Sequence, residues 1–98
     1  MENYSFTVLS QLIGEPITIR DNAENEAQLI IAEVNKGTID GDEWQSFSVI
    51  YNGEENLSVP QGTYLFSHEK IGEVSLFITP NSATEYETIV SQKRVQAI

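Results

Sequence analysis

The chain contains no cysteine. That absence excludes disulfides, thiolate nucleophiles and every zinc site built on Cys ligands. Histidine occurs once, at His68, and one imidazole cannot furnish the nitrogen-rich shell of a transition-metal site, so no metal is expected. Basic residues are scarce. Arg20, Lys36, Lys70, Lys93 and Arg94 stand against 15 Asp and Glu, for a formal charge of -10. Such a chain repels phosphate backbones and anionic bilayers, so neither nucleic acid nor a membrane surface is an expected partner. The longest apolar run, Leu29-Ile30-Ile31-Ala32, is far short of a membrane span or a signal-peptide core, and Met1-Glu2-Asn3-Tyr4 carries no basic region. The expected address is cytoplasmic. No Gly-x-Gly-x-x-Gly or P-loop occurs, which removes the usual phosphate cradles and leaves no cofactor to predict.

What is present suffices for one core. The 98 residues are 40% apolar and include Trp44, four Tyr and four Phe, enough burial to offset the entropy of ordering a single domain. The acidity reads first as solubility; a DNA mimic or a module that meets a basic partner is the alternative.

Along the chain, Phe6, Leu9, Leu12 and Ile13 recur at spacings of three and four, which predicts a short helix capped by Ser5 and ended by Gly14 and Pro16. The period then changes to two. Ile17 and Ile19 alternate, Asp21 to Asn25 reads as a turn, and Glu26 to Asn35 reads as a strand apolar on both faces. Phe47, Val49 and Tyr51 alternate up to Asn52-Gly53, a dipeptide suited to a tight hairpin turn. Pro60-Gln61-Gly62 breaks the ladder. Strands follow over Thr63–His68 and Val74–Thr79, joined by a turn at Glu69–Gly72, and a last one over Tyr86–Val90 after Pro80-Asn81-Ser82. The expectation is a mostly β single domain over 1–90, a small antiparallel barrel or sandwich of six to seven strands behind a short N-terminal helix, with a polar tail over 91–98.

Chemistry finds little footing. Serine catalysis needs an oriented base, and His68 is the one candidate; no Gly-x-Ser-x-Gly elbow exists, and Ser67 beside it points to the opposite face of a strand. A histidine where a strand meets a turn more simply pins that turn by bonding backbone. The acidic residues are too many for any carboxylate pair to be singled out. Asp40-Gly41-Asp42-Glu43 and the stretch Asp21 to Glu26 look like calcium loops, but neither keeps the EF-hand order of ligands and glycine. The aromatics sit at strand positions, where a β core needs them. Trp44, between an acidic loop and a strand, reads either as a partly exposed anchor or as a lid over one end of the core. No catalytic set is predicted.

The most specific text is Phe47-Ser48-Val49-Ile50-Tyr51-Asn52-Gly53, then Val59-Pro60-Gln61-Gly62-Thr63-Tyr64, then His68, Gly72, Leu76-Phe77, Pro80 and Tyr86-Glu87. Together with Leu9-Ser10-Gln11-Leu12-Ile13-Gly14, these resemble a family of small bacterial proteins grouped as a domain of unknown function, over residues 9 to about 90. Ser46 departs from that family's usual proline, Val90-Ser91 replaces a Phe-Asn ending, and Ser91 to Ile98 is extra. The resemblance implies an accessory or assembly role beside phage-tail-collar-like proteins. On the residues themselves, Tyr64, Phe66 and His68 share one face of a strand. If that face is inside, Tyr64 and His68 form a buried polar pair. If it is outside, Gln61, Tyr64 and His68, with Trp44, become a recognition patch.

The leading expectation is therefore a non-enzymatic protein-interaction module with a protein partner. The alternatives are a small enzyme pairing His68 with a carboxylate, which requires such a pair in a pocket, and a small-ligand-binding barrel, which requires an internal cavity.

Overall fold

Alternating sequence becomes alternating burial in a closed barrel. The structure is a computed structural model that describes residues 4–37, 44–55 and 57–93, with Trp44, Gln45, Gln92 and Lys93 described by their backbone alone. Helix α1 spans Phe6–Ser10, and the strands are β1 Pro16–Arg20, β2 Glu26–Lys36, β3 Trp44–Asn52, β4 Gly62–His68, β5 Gly72–Pro80 and β6 Glu85–Lys93. All paired neighbours are antiparallel, in the order β1-β2-β3-β6-β5-β4, and β4 returns to β1 through Thr18↔Ser67, Ile19↔Phe66 and Arg20↔Leu65. Ring closure removes most of the exposed sheet edge that an open sandwich would leave. Inward positions follow the period of two: Ile17 and Ile19 on β1, Phe47, Val49 and Tyr51 on β3, Leu76 and Ile78 on β5, Tyr86, Thr88 and Val90 on β6.

Four local expectations are corrected. The helix is one short turn. Ser5 accepts from the Val8 amide at 3.2 Å, the Ser10 hydroxyl bonds back to the Phe6 carbonyl, and Gln11 already caps the end. Leu9 and Leu12 still reach the core, but Ile13, now outside the helix, is 50% exposed. Gly14, at φ 94°, turns the chain so that its amide meets the Ile31 carbonyl at 2.7 Å.

Strand β2 is not apolar on both faces. Its pairing with β3 steps from Ile31↔Tyr51 to Glu33↔Ile50, so Ala32 is the extra residue of a β-bulge. Before the bulge the odd positions Leu29 and Ile31 are buried. Beyond it Val34 packs against the core while Glu33 and Asn35 face solvent. The two apolar sets in the sequence are thus one inward face read on either side of a phase change.

Asn52-Gly53 forms no hairpin: β3 pairs with β6 along its length, and β4 joins β1 and β5. Gly53 sits in a crowded spot: a Cβ there would lie 3.0 Å from both Leu29 Cδ2 and Leu57 Cδ2 and 3.2 Å from Tyr86 Cε2, so these side-chain tips would have to give by a few tenths of an ångström. Its φ is not positive. Finally, β6 runs beyond Val90 to Lys93, so the start of the expected tail is strand.

The two mouths of the barrel are closed differently. Strands β1, β4 and β5 alternate in direction, so one mouth holds the β1–β2 turn, residues 53–55 and 57–61 and the β5–β6 turn; we call it the loop mouth. The other, the helix mouth, receives α1 and Tyr4. Tyr4, fully buried, sets its hydroxyl 2.7 Å from Tyr51 Oη and 2.7 Å from Thr88 Oγ1, with its ring 5.7 Å from that of Phe47. Burial raises the pKa of Tyr4, and raises that of Tyr51 well above its ordinary value.

Tyr4→Phe leaves the buried Tyr51 and Thr88 hydroxyls without that partner and should cost about 1–3 kcal/mol in urea unfolding, with the same slope. Because the folded tyrosines resist ionisation, their contribution is fully present below about pH 10 and is lost as pH rises beyond it. The midpoint should therefore fall steeply above about pH 10, and Tyr51→Phe should flatten that fall. Gly53→Ala should cost about 1–3 kcal/mol by overpacking against Leu29, Leu57 and Tyr86, read in the same unfolding assay.

Candidate functional site

Of the residues singled out from the sequence, the Trp44 side chain and the Asp40–Glu43 loop lie outside the described residues. Gln61 is exposed at the bend before β4. Tyr64, Phe66 and His68 do share the inward face, with Phe66 fully buried between the other two. Tyr64 and His68 are not a pair, however. Four residues of extended chain hold them about 13 Å apart, one at each mouth of the barrel. The Tyr64 hydroxyl donates to the Pro60 carbonyl at 2.7 Å, which ties down the Pro60-Gln61-Gly62 bend.

His68 lies at the helix mouth beside an open groove lined by Glu15, Pro16, Thr18, Lys70 and Glu73. Its Nδ1 accepts from the Lys70 amide at 2.9 Å, and its Nε2 stands 3.1 Å from Glu15 Oε1. Since Nδ1 is the acceptor, the proton of the neutral ring sits on Nε2 and points at the carboxylate. A His–carboxylate contact in a pocket therefore exists, yet both nitrogens are already engaged: the one in-plane lone pair, on Nδ1, accepts from the Lys70 amide, and the Nε2 proton meets Glu15. The ring joins the start of β1 to the β4–β5 turn, as a turn-pinning histidine does. Glu15 is 53 positions away in sequence, and no local spacing announces it.

The loop mouth carries the better-formed cavity, 240 Å³, lined by Ile19, Ala27, Leu57, Val59, Pro60 and Tyr64 with Asp21, Asn25, Glu26 and Ser58. Its base is the sealed core, where Tyr4, Tyr51, Phe47 and Phe66 fill the barrel interior. Leu57 is placed by its carbonyl, which accepts from the Tyr86 hydroxyl at 3.3 Å, and Gly53 by its amide on the Thr84 carbonyl at 2.8 Å.

Asp21 organises the rim. One carboxylate oxygen accepts from the Ala23 and Asn25 amides, each at 2.9 Å, and the other from Asn25 Nδ2 at 3.1 Å. These bonds, led by the Asn25 side chain, lower the Asp21 pKa, so it stays charged at neutral pH. The calcium-like spelling of Asp21 to Glu26 is thus a self-capped turn. Tyr64, by contrast, has its pKa raised, first by burial and then by the charge of Asp21. Glu24 and Glu54 stand exposed nearby. Among the described residues the one basic side chain at this mouth, Arg20, is held by Glu73 at 3.2 Å. The mouth is a half-apolar hollow whose carboxylates no described basic side chain neutralises. Sequence reading missed Asp21, Glu26 and Leu57 as a group, because their meeting depends on the β1–β4 closure.

Among the described residues no cluster of three or more His, Asp or Glu could hold a metal, and no helix is long and apolar enough to cross a membrane. No curated protein and no solved structure matches the chain. A family model described as a domain of unknown function, DUF6916, matches residues 4–90. That span runs from the plugging Tyr4 through the Pro-Gln-Gly-Thr-Tyr bend to the inward Val90 of the last strand, and the chain belongs to this family.

Proposed function

We propose that the protein is a non-enzymatic, cytoplasmic binding module whose loop mouth receives a basic segment of a protein partner. The observation that carries this reading is the placement of Asp21 and Glu26 on the rim of a cavity walled by Ile19, Ala27, Leu57 and Val59. Lysine and arginine side chains have the matching form: an aliphatic stem for the apolar wall and a charged head for the carboxylates. Tyr64 adds an aromatic surface that a cation can approach. A chain of net charge -10 also accelerates the encounter with a basic partner. An accessory or assembly role beside a tail-collar-like structure is the same reading with a larger partner, and it rests on the family resemblance.

The His68–Glu15 contact gives the enzyme reading its one supporting observation. Against it stands the Nδ1 lone pair, which is already taken by the Lys70 amide and so is not free to act as a base. The pair serves better as a clamp between β1 and the β4–β5 turn.

Titrating a short Lys- and Leu-containing peptide into isotope-labelled protein should shift amides in 19–27 and 57–64. The Asp21→Asn, Glu26→Gln double variant keeps acceptors for the turn and should weaken binding about tenfold, as loss of charge-assisted bonds implies. Shifts elsewhere, or equal affinity in the double variant, would sink the proposal. His68→Ala should cost about 1–2 kcal/mol of stability by freeing the Lys70 amide and Glu15, while leaving the peptide affinity unchanged. A His68→Ala protein of full stability would instead turn attention back to catalysis.

A further inference from the structure

The cavity of the loop mouth does not stand alone. On one side it shares Glu26, Ala27 and Leu57 with a shallow hollow completed by Gln28 and Glu54. On the other it shares Asp21 and Tyr64 with a hollow that adds Glu24 and Thr63. The two outer hollows have no residue in common, so the cavity joins them into one track across the mouth. At 240 Å³ it falls below the roughly 300–1,000 Å³ of pockets that enclose a free small ligand, and it fits one side chain of a larger molecule.

Chemistry alternates along the track. Carboxylates stand at each end, Glu26 and Glu54 at the first and Asp21 and Glu24 at the second, and Ile19, Leu57 and Val59 wall the middle. Among the described residues the side chains of Glu24, Glu26 and Glu54 engage no partner. Asp21 accepts from the Ala23 and Asn25 amides and from Asn25 Nδ2, and a carboxylate offers about four lone-pair positions, so it can accept once more. Arg20 borders the second end but is held by Glu73 at 3.2 Å. The length follows from the ring. The first end lies by β2 and the residues after β3, the second by β1 and β4, and the order β3-β2-β1-β4 spans three interstrand spacings, about 14 Å around the wall.

We infer that the loop mouth takes an extended protein segment in which one apolar residue is flanked, two positions away on each side, by Lys or Arg. This rests on the basic-segment reading and adds the order and conformation of that segment. An extended chain covers the track in about four residues, at about 3.3 Å each, and its side chains i, i+2 and i+4 share one face. The middle one enters the cavity between Ala27 and Leu57, one cation meets Glu26 and Glu54, and the other meets Asp21 and Glu24. A helix sets i and i+4 only about 6 Å apart and cannot reach both ends. A run of adjacent basic residues fits no better, since it crowds its charges at one end and brings nothing apolar to the cavity.

The test titrates end-blocked peptides into the isotope-labelled full chain, up to about 5 mM, the reach of a weak complex. Lys-Ser-Leu-Ser-Lys should bind about tenfold more tightly than Lys-Lys-Leu-Ser-Ser, which has the same composition and charge, and about tenfold more tightly than Lys-Ser-Ser-Ser-Lys, which leaves the cavity empty. The ordered peptide should shift amides at both ends, those of Gln28 and Glu54 as well as those of Glu24 and Thr63. Glu54→Gln and Glu24→Gln, at exposed positions on opposite ends, should each weaken it severalfold with an unchanged melting temperature. Equal affinity for the reordered or leucine-free peptide, or an affinity unmoved by either variant, overturns the inference; where the shifts still fall on the loop mouth, the basic-segment reading survives. No shift at the loop mouth with any of the peptides overturns both.

Discussion

The hydroxyl of Tyr4, wedged between those of Tyr51 and Thr88, is the contact on which the rest of the barrel depends. A phenol buried this deeply is tolerated only when its oxygen is hydrogen-bonded, because an unpaired polar group in an apolar interior costs a few kcal/mol, roughly 1–3. The bonds therefore do two things at once. They fix the segment before α1 inside the ring, and they link β3 to β6 through a side chain from neither strand. With Tyr4 stacked toward Phe47, and Leu9 and Leu12 beneath the short helix, one mouth is shut by the chain's own beginning. Access to the barrel is left to the opposite mouth.

That second mouth is shaped by two local irregularities. The Ala32 bulge shifts the phase of β2, so that one strand can keep Leu29 and Ile31 inward near the loop mouth and Val34 against the core near the helix mouth. Gly53 lets Leu29, Leu57 and Tyr86 converge where even a methyl group would be tightly crowded. Together they draw residues 57–61 over the barrel end without sealing it. The cavity is what remains between that segment and the β1–β2 turn.

Much of this was legible in residue order, and what was not has a common cause. Alternation at Phe47-Ser48-Val49, at Val74-Ser75-Leu76 and at Tyr86-Glu87-Thr88 announced the strands, and Ser5 announced the helix cap. Asn52-Gly53 misled because a turn-prone dipeptide and a glycine in crowded surroundings are spelled the same way. The doubled apolar pattern of β2 could not reveal a bulge, since the phase of a strand is set by the partner it meets. The site failed for the same reason at longer range. Asp21 meets Tyr64, and Glu15 meets His68, only because β1 closes the ring against β4. Tyr4 was similarly opaque: nothing near position 4 signals partners at 51 and 88.

The distribution of charge gives the remaining constraint. A small barrel tolerates a -10 charge only if its carboxylates avoid one another and its core stays dry, and here the described ones are spread over both mouths and outward strand positions. Asp21 engages its oxygens in its own turn yet keeps its charge, while Arg20 is turned away to Glu73, so no described basic side chain neutralises the rim of the hollow. Internal neutralisation would have been the more stable arrangement, as like charges at close range raise the energy of the compact state. A fold that bears that cost keeps a negatively charged rim over apolar walls at its loop mouth. His68 takes no part in it; with both ring nitrogens bound, it holds the start of β1 to the β4–β5 turn.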